Sequence, residues 1–405
     1  MMDRRSFLRT GLAATAAFLT VGEPLRRAFA APTPPVPGDG RYGALGPEDV
    51  HGIRLPEGFE AREVARAQRL VPGTTHVWHQ LPDGGATFAA PDGGWIYVSN
   101  SERGNLMGGV GALRFDVEGN VVDAYPILLG TRRNCAGGPT PWGTWLSCEE
   151  IEEGAVYECD PTGGVLGIRR PALGGFSHEA AVVDPETNVV YLTEDERDGR
   201  LYRFVPDQPT GDGRSLESGA LQVARVAPGG AVDWLPVPVP FPIRPLQEPT
   251  RYQVPASTSF QGGEGAWFDV PSRALYFTTK YDDSIWVFDV DASSISRLYH
   301  GEVTPGNPLQ GVDNLTISPT GDVFVCEDHS PSRGPLDVVM LDRSAAIVSV
   351  FASFSGIQHA GSELTGVAFN PDGNRMYVSS QRAYAIGADV AVNEGGATYE
   401  ITGPF

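Results

Sequence analysis

One unit recurs along most of this 405-residue chain, and that recurrence limits the possible folds more than any single motif. Each copy holds an apolar segment, a turn built on Pro or Asp-Gly, a β-branched and aromatic segment ending in polar residues, and a third segment closing on Asp or Pro. The copies are residues 88–100 with 112–117, 141–150 with 156–160, 180–195 with 201–205, 266–280 with 285–290, 315–328 with 338–342, and 367–381 with 398–401. Most neighbouring copies lie roughly fifty residues apart, the period of propeller blades. The pattern predicts an all-β chain, a six-bladed β-propeller whose radial closure exposes only short edges. A two-sheet sandwich of similar strands is the competing arrangement. Gly 50 and Pro 34 beside 41% hydrophobic residues suit a globular chain of many short strands and turns. Residues 51–405 are therefore expected to form a single propeller, with a Pro-rich, weakly periodic insertion from about 206 to 260.

The first thirty residues read as an address. Asp3-Arg4-Arg5-Ser6-Phe7-Leu8-Arg9 is a twin-arginine pattern, an apolar run follows over 11–21, and Ala28-Phe29-Ala30 offers a small-residue cleavage site. The apolar run is too short to span a bilayer, and no transmembrane segment is expected in the mature chain. Residues 31–50 read as a Pro/Gly-rich linker or N-terminal wrap. The expectation is export through the twin-arginine machinery to the periplasm, cell envelope or exterior. That route carries folded proteins, often with a cofactor already loaded. The formal net charge is −20; the leader contributes +3, with five arginines against Asp3 and Glu23, so the remainder is near −23. Such a surface disfavours nucleic acid and anionic membrane as partners. The four cysteines, Cys135, Cys148, Cys159 and Cys326, match no zinc spacing; in an exported protein a Cys135–Cys148 bridge is one option and free thiols are the other.

The repeat also marks a site. Stepping back six residues from each turn proline reaches Gly85 from Pro91, Cys135 from Pro141, Glu179 from Pro185, Asp313 from Pro319 and Thr365 from Pro371; Glu264 lies seven before Pro271, and Glu363 two before Thr365. Because the next strand runs antiparallel, its end returns to the same face. Those ends carry Glu102, Glu149-Glu150, Glu194-Asp195, Asp282-Asp283, Glu327-Asp328 and Gln381-Arg382. Two rings of mostly acidic side chains are thus expected to converge on one mouth of the channel. Carboxylates in such numbers suit hard cations such as calcium, and a thiolate suits iron or another softer metal. Cations held together bind and polarise a phosphate and activate a bound water for in-line attack. Arg132 and Arg133, just before Cys135, either clamp a phosphate or pair with nearby acids. His178 beside Glu179 is either a ligand or a supporting residue. No HExxH spacing, Gly-rich phosphate loop or GxSxG elbow is present.

The twin-arginine leader, NCAGGPTPWGTWLSCEE (134–150), SHEAAVVDP (177–185), GGEGAWF (262–268), VDNLTISPTGDVFVCED (312–328) and ELTGVAFNPDGNRMYVSSQ (363–381) together resemble the alkaline phosphatase PhoX family of secreted bacterial enzymes. The resemblance covers most of the mature chain in order. It implies a six-bladed propeller, a small phosphorylated substrate (monoesters and sometimes diesters), a monomer, and an iron and calcium cofactor at the channel mouth. Carried over, Cys135 would be an iron ligand, with Glu149, Glu150, Glu179 and Glu264 as further iron or calcium ligands, joined by Asp313, Glu327 and Glu363. The chain is shorter than the large members. Where the family often places a phosphate-binding arginine ahead of Glu264, this sequence has Gln261-Gly262-Gly263. The alternative to a phosphohydrolase is therefore a non-catalytic or differently specific metal-stabilised propeller that binds a ligand or partner.

Overall fold

Side chains alternate along a strand, so a sheet packed on both faces divides each strand's residues between two neighbours. Val190–Glu194 shows this: Val190 and Leu192 join one apolar cluster with Leu146 and Cys148, while Tyr191 joins another with Phe268 and Phe288. Val323 and Val325 likewise pack towards Leu309 and Val312, and Phe324 and Cys326 towards Val378 and Tyr399. Repetition of this division builds a ring of sheets with an apolar layer between each pair.

The computed structural model describes residues 35–344, 346–385 and 395–405. These form six sheets, antiparallel except for one two-residue edge strand, and no α-helix. The first four blades open at Pro82–Ala89, Asn134–Pro139, His178–Val183 and Gly263–Asp269; the fifth and sixth open at Val312–Ile317 and Leu364–Phe369. These inner strands lie side by side around the axis, the sixth against the first. The expected six-bladed propeller is what the chain forms. The expected leader, residues 1–30, lies outside the described residues. Among the described residues no helix is long and apolar enough to cross a membrane.

Two stretches differ from expectation. Much of residues 206–260 is regular blade, since Gly219–Val226 and Val232–Pro236 add a fourth and fifth strand to blade 3. The described part of residues 31–50 is a wrap: Val36–Pro37 runs parallel to the outer strand of blade 5, Ile347–Phe354, and Arg41 reaches Asp322 and Asp342 at 3.0 and 3.3 Å.

Closure falls on blade 6, whose outer strand Glu60–Arg66 comes from the start of the propeller and pairs with Ala397–Thr402 near the end of the chain. The seam is held by a buried network. The Glu400 carboxylate, fully inaccessible, takes Arg62 Nε at 2.8 Å, Arg375 Nη1 at 2.7 Å and the Tyr377 hydroxyl at 2.7 Å. Trp95 Nε1 of blade 1 donates to Tyr377 Oη at 2.8 Å, tying the last blade to the first. Removing the hydroxyl leaves two buried polar groups short of a partner. Tyr377→Phe is expected to lower stability by about 1–3 kcal/mol in denaturant unfolding; an unchanged midpoint would show that the seam does not depend on this hydroxyl.

Candidate metal centre

Each inner strand carries one particular residue to the axis, always its second: Asp83, Cys135, Glu179, Glu264, Asp313 and Thr365. In blades 1 to 5 this residue lies within a bulge, between Pro82/Gly85, Asn134/Gly137, His178/Ala181, Gly263/Ala266 and Val312/Leu315. A bulge locally disrupts the ladder and re-aims side chains. The residue after it is small where strands crowd: a Cβ on Gly265 would come within 2.6 Å of Asn314 Cα.

A second ring comes from the residue that follows each second strand: Glu102, Glu150, Asp195, Lys280, Asp328 and Gln381. Its backbone N–H donates, at 2.7–3.1 Å, to the carbonyl of the residue preceding the inner strand, namely Leu81, Arg133, Ser177, Gly262, Gly311 and Glu363. One repeated hydrogen bond therefore sets the height of the whole ring.

Three sets of donors lie within 4.8 Å of one another: Cys135, Glu150 and Glu179; Glu179, Glu264 and Asp313; and Asp83, Glu102 and Glu363. Glu179 belongs to two of them. It is fully buried, and neither carboxylate oxygen has a hydrogen-bond partner. Buried carboxylates without partners are costly, and these oxygens fit a cation. Some charge is met by the protein. Gln381 Nε2 donates to Asp83 Oδ2 and Glu102 Oε2 at 2.6 and 2.9 Å, Arg382 Nη1 pairs with Glu363 at 2.7 Å, and Lys280 Nζ lies 3.1 Å from Glu264. The remainder is unmet. Burial, and then the fields of Glu264, Asp313, Glu150 and Asp83, push the Glu179 carboxyl well above the usual carboxylate range. Burial followed by Asp83, Glu179, Glu150 and Glu102 does the same to the Cys135 thiol. Asp313 is pushed up to about 7, chiefly by burial.

Of the residues singled out from sequence, Cys135, Glu150, Glu179, Glu264, Asp313 and Glu363 are brought together here. Glu149 and Glu327 are not. Each is the last residue of a second strand, one before the ring-two residue, so alternation turns it to the other face. Glu149 instead accepts backbone N–H bonds from Arg132 and Ala155 at 3.0 and 3.3 Å, and Glu327 from Gln310 and Asp337 at 2.7 and 3.0 Å. Glu194 holds Arg200 N and the Tyr202 hydroxyl in the same way. Arg133 lies close enough to Glu102 and Glu150 to favour their ionised forms, whereas Arg132 acts on Glu149. His178 turns into the blade, packed at a tilt against Phe176 with Nε2 3.0 Å from Gly174 O, and burial lowers its pKa to about 3. All four cysteines are free, so no Cys135–Cys148 bridge forms.

The proline count missed Asp83, placing Gly85 instead, because the inner strand of blade 1 has eight residues against six in blades 2, 3 and 5. In blade 4 the ring-two place belongs to Lys280; Asp282 and Asp283 lie beyond it, bonded to Arg297 and to Gly311 N. Gly262, two before Glu264, has φ 67°, and a Cβ there would meet the Tyr281 ring at 2.7 Å. Tyr281 occupies the space a side chain at 262 would need.

A sequence profile described as "Alkaline phosphatase PhoX" matches residues 77–162, 152–278 and 271–383. Among solved structures, Pseudomonas fluorescens PhoX in complex with vanadate, a transition state analogue, superposes with a TM-score of 0.67 at 16% identity, over 92% of this chain and 97% of that one. A structural genomics protein of unknown function from Bacteroides thetaiotaomicron gives a TM-score of 0.50 at 9% identity, over 88% and 84%. No curated protein sequence matches the chain.

Carboxyls whose folded-state pKa is raised contribute stability below their unfolded value near 4 and lose it as pH rises through the folded value, about 7 for Asp313. A bound cation favours the ionised form and reverses the loss. The gap in Tm between calcium-loaded and chelator-treated protein is therefore expected to widen from about pH 5 to about pH 8. His79 and His178, held near 3 by burial, are common to both forms and cancel in this difference. A gap that narrows with pH would contradict the carboxylate crowding.

Proposed function

The chain belongs to the alkaline phosphatase PhoX family, and from that premise we propose that it is a metal-dependent phosphohydrolase acting on phosphate monoesters, and on diesters, at the propeller mouth. The observation that carries the reading is Glu179, fully buried with both oxygens unpartnered and shared between a thiol-containing set and an all-carboxylate set.

The proposed cofactor is iron with calcium. Cys135, with Glu150 and Glu179, is the set suited to iron, because a thiolate favours a softer metal. Glu179, Glu264 and Asp313, and separately Asp83, Glu102 and Glu363, offer the oxygen donors that calcium takes. When bound, such ions polarise a phosphoryl oxygen and lower the pKa of a bound water. The protein's own part is to position the ester and bear its charge. Arg133 and Arg382, both close enough to Glu102 to favour its ionised form, supply guanidinium donors that hold a phosphate bidentately. The family arginine ahead of Glu264 is absent, with Gln261-Gly262-Gly263 in its place and Tyr281 crowding Gly262, so these two residues are assigned its work. Arg132, beside Glu149, is assigned none.

Loss of that arginine is also what favours a second reading, a metal-stabilised propeller that binds a ligand without hydrolysing p-nitrophenyl phosphate. Export by the twin-arginine route, to the periplasm, envelope or exterior, accords with Arg4-Arg5 and with a metal centre loaded before transport.

Metal analysis and assay on one preparation separate these readings. The wild-type chain is expected to contain iron and calcium and to hydrolyse p-nitrophenyl phosphate. Cys135→Ala is expected to lose iron and at least about 10²-fold in kcat/KM. Arg133→Ala and Arg382→Ala are expected to keep metal while losing about 10²–10³-fold in kcat/KM. Glu149→Gln is expected to keep metal and lose about 1–3 kcal/mol of stability. Metal without hydrolysis would select the second reading; absence of both metal and hydrolysis would overturn the first.

A further inference from the structure

Lys280 differs from every other residue facing the mouth. It is the chain's only lysine, beside 29 arginines among the 30 basic residues. It takes the ring-two place of blade 4, where blades 1, 2, 3 and 5 present Glu102, Glu150, Asp195 and Asp328. Three carboxylates converge on its ammonium: Nζ lies 3.1 Å from Glu264 Oε1, 3.0 Å from Asp328 Oδ2 and 3.8 Å from Asp313 Oδ2. Glu264 is 2% exposed, and its Oε1 has no well-formed hydrogen bond beyond this ion pair.

Shape explains why a lysine stands here in a chain that otherwise uses arginine. A guanidinium is a flat fork that matches one carboxylate edge, whereas an ammonium is a compact point charge with three donors. Several carboxylates pointing at a single centre is the arrangement that surrounds a hard cation. Among side chains, only lysine places a charge of that form at the centre.

We propose that Lys280 is a resident cation of the mouth, its ammonium taking a position among Glu264, Asp313 and Asp328 that would otherwise hold a divalent ion. The chain therefore carries one metal ion fewer than the same two rings would with an uncharged residue at 280. The inference rests on the metal-binding reading above. It adds that part of the mouth's positive charge is covalently fixed and cannot be stripped by a chelator.

The test counts metal rather than turnover. Wild type, Lys280→Met and Lys280→Arg are equilibrated with calcium, gel-filtered, and analysed for iron and calcium per chain, with circular dichroism as the check on folding. Lys280→Met is expected to hold one more divalent ion than wild type, and its Tm to keep rising with calcium where wild type has levelled off. Lys280→Arg is expected to keep the wild-type count. An unchanged count in folded Lys280→Met, with metal present in wild type, overturns this inference and spares the family reading. Metal-free wild type beside calcium-binding Lys280→Met does the reverse. Should Lys280→Met not fold, amine acetylation of the wild type, read by mass spectrometry, decides: a resident ammonium stays unreactive in calcium-loaded and chelated protein alike, and rapid modification in the loaded form shows that an ion has displaced it.

Discussion

Crowding of carboxylates at the propeller axis is the constraint on which the rest of this structure depends. Nine acidic side chains face one mouth (Asp83, Glu102, Glu150, Glu179, Asp195, Glu264, Asp313, Asp328 and Glu363), against Lys280, Arg133 and Arg382. Like charges at such separations cannot all ionise in a partly desolvated site without added positive charge. A scaffold that forces them together has to be stiff, and the stiffness comes from elsewhere: six apolar layers between blades, and a seam closed by a strand from the other end of the chain. Stability built at the periphery sustains an unfavourable arrangement at the centre.

The repeated geometry is also economical in what it asks of the sequence. Each blade needs one residue at the second place of its inner strand and one just past its second strand. A single N–H···O=C bond at the mouth then fixes their relative height. Variation at those places changes the chemistry without touching the fold. Blade 6 shows this, with Thr365 in ring one, its hydroxyl given to Pro82 O, Gln381 in ring two, and Glu363 reaching in from one residue before the strand.

The blades were legible because a strand packed on both faces must be apolar along its length, and six such runs at similar spacing leave few folds open. The site was legible in part. Pairs such as Glu149-Glu150 and Glu327-Asp328 announce a strand end, but which member faces the axis depends on where the ladder stops, a parity that spacing does not reveal. In each pair the strand takes the first residue, leaving the second for the mouth. Asp83 was hidden by a longer hairpin in blade 1. The closing strand Glu60–Arg66, with its alternating charges, falls outside the six sequence copies because it is an outer strand with one face in solvent. Residues 219–236 were obscured by the proline-rich stretch that follows them.

Family membership and local structure point in different directions at one place, and physical reasoning reconciles them. Gly262 with its left-handed backbone, and Tyr281 filling the adjacent volume, leave blade 4 without the arginine that the family often places ahead of Glu264. Lys280, in the same sector, introduces a cation where it meets Glu264, Asp313 and Asp328. A guanidinium at the rim is free to follow a substrate; an ammonium anchored by three carboxylates is not. Positive charge in this sector thus belongs to the scaffold, and in the proposed reading contact with a phosphate falls to Arg133, near Glu102, and to Arg382, paired with Glu363.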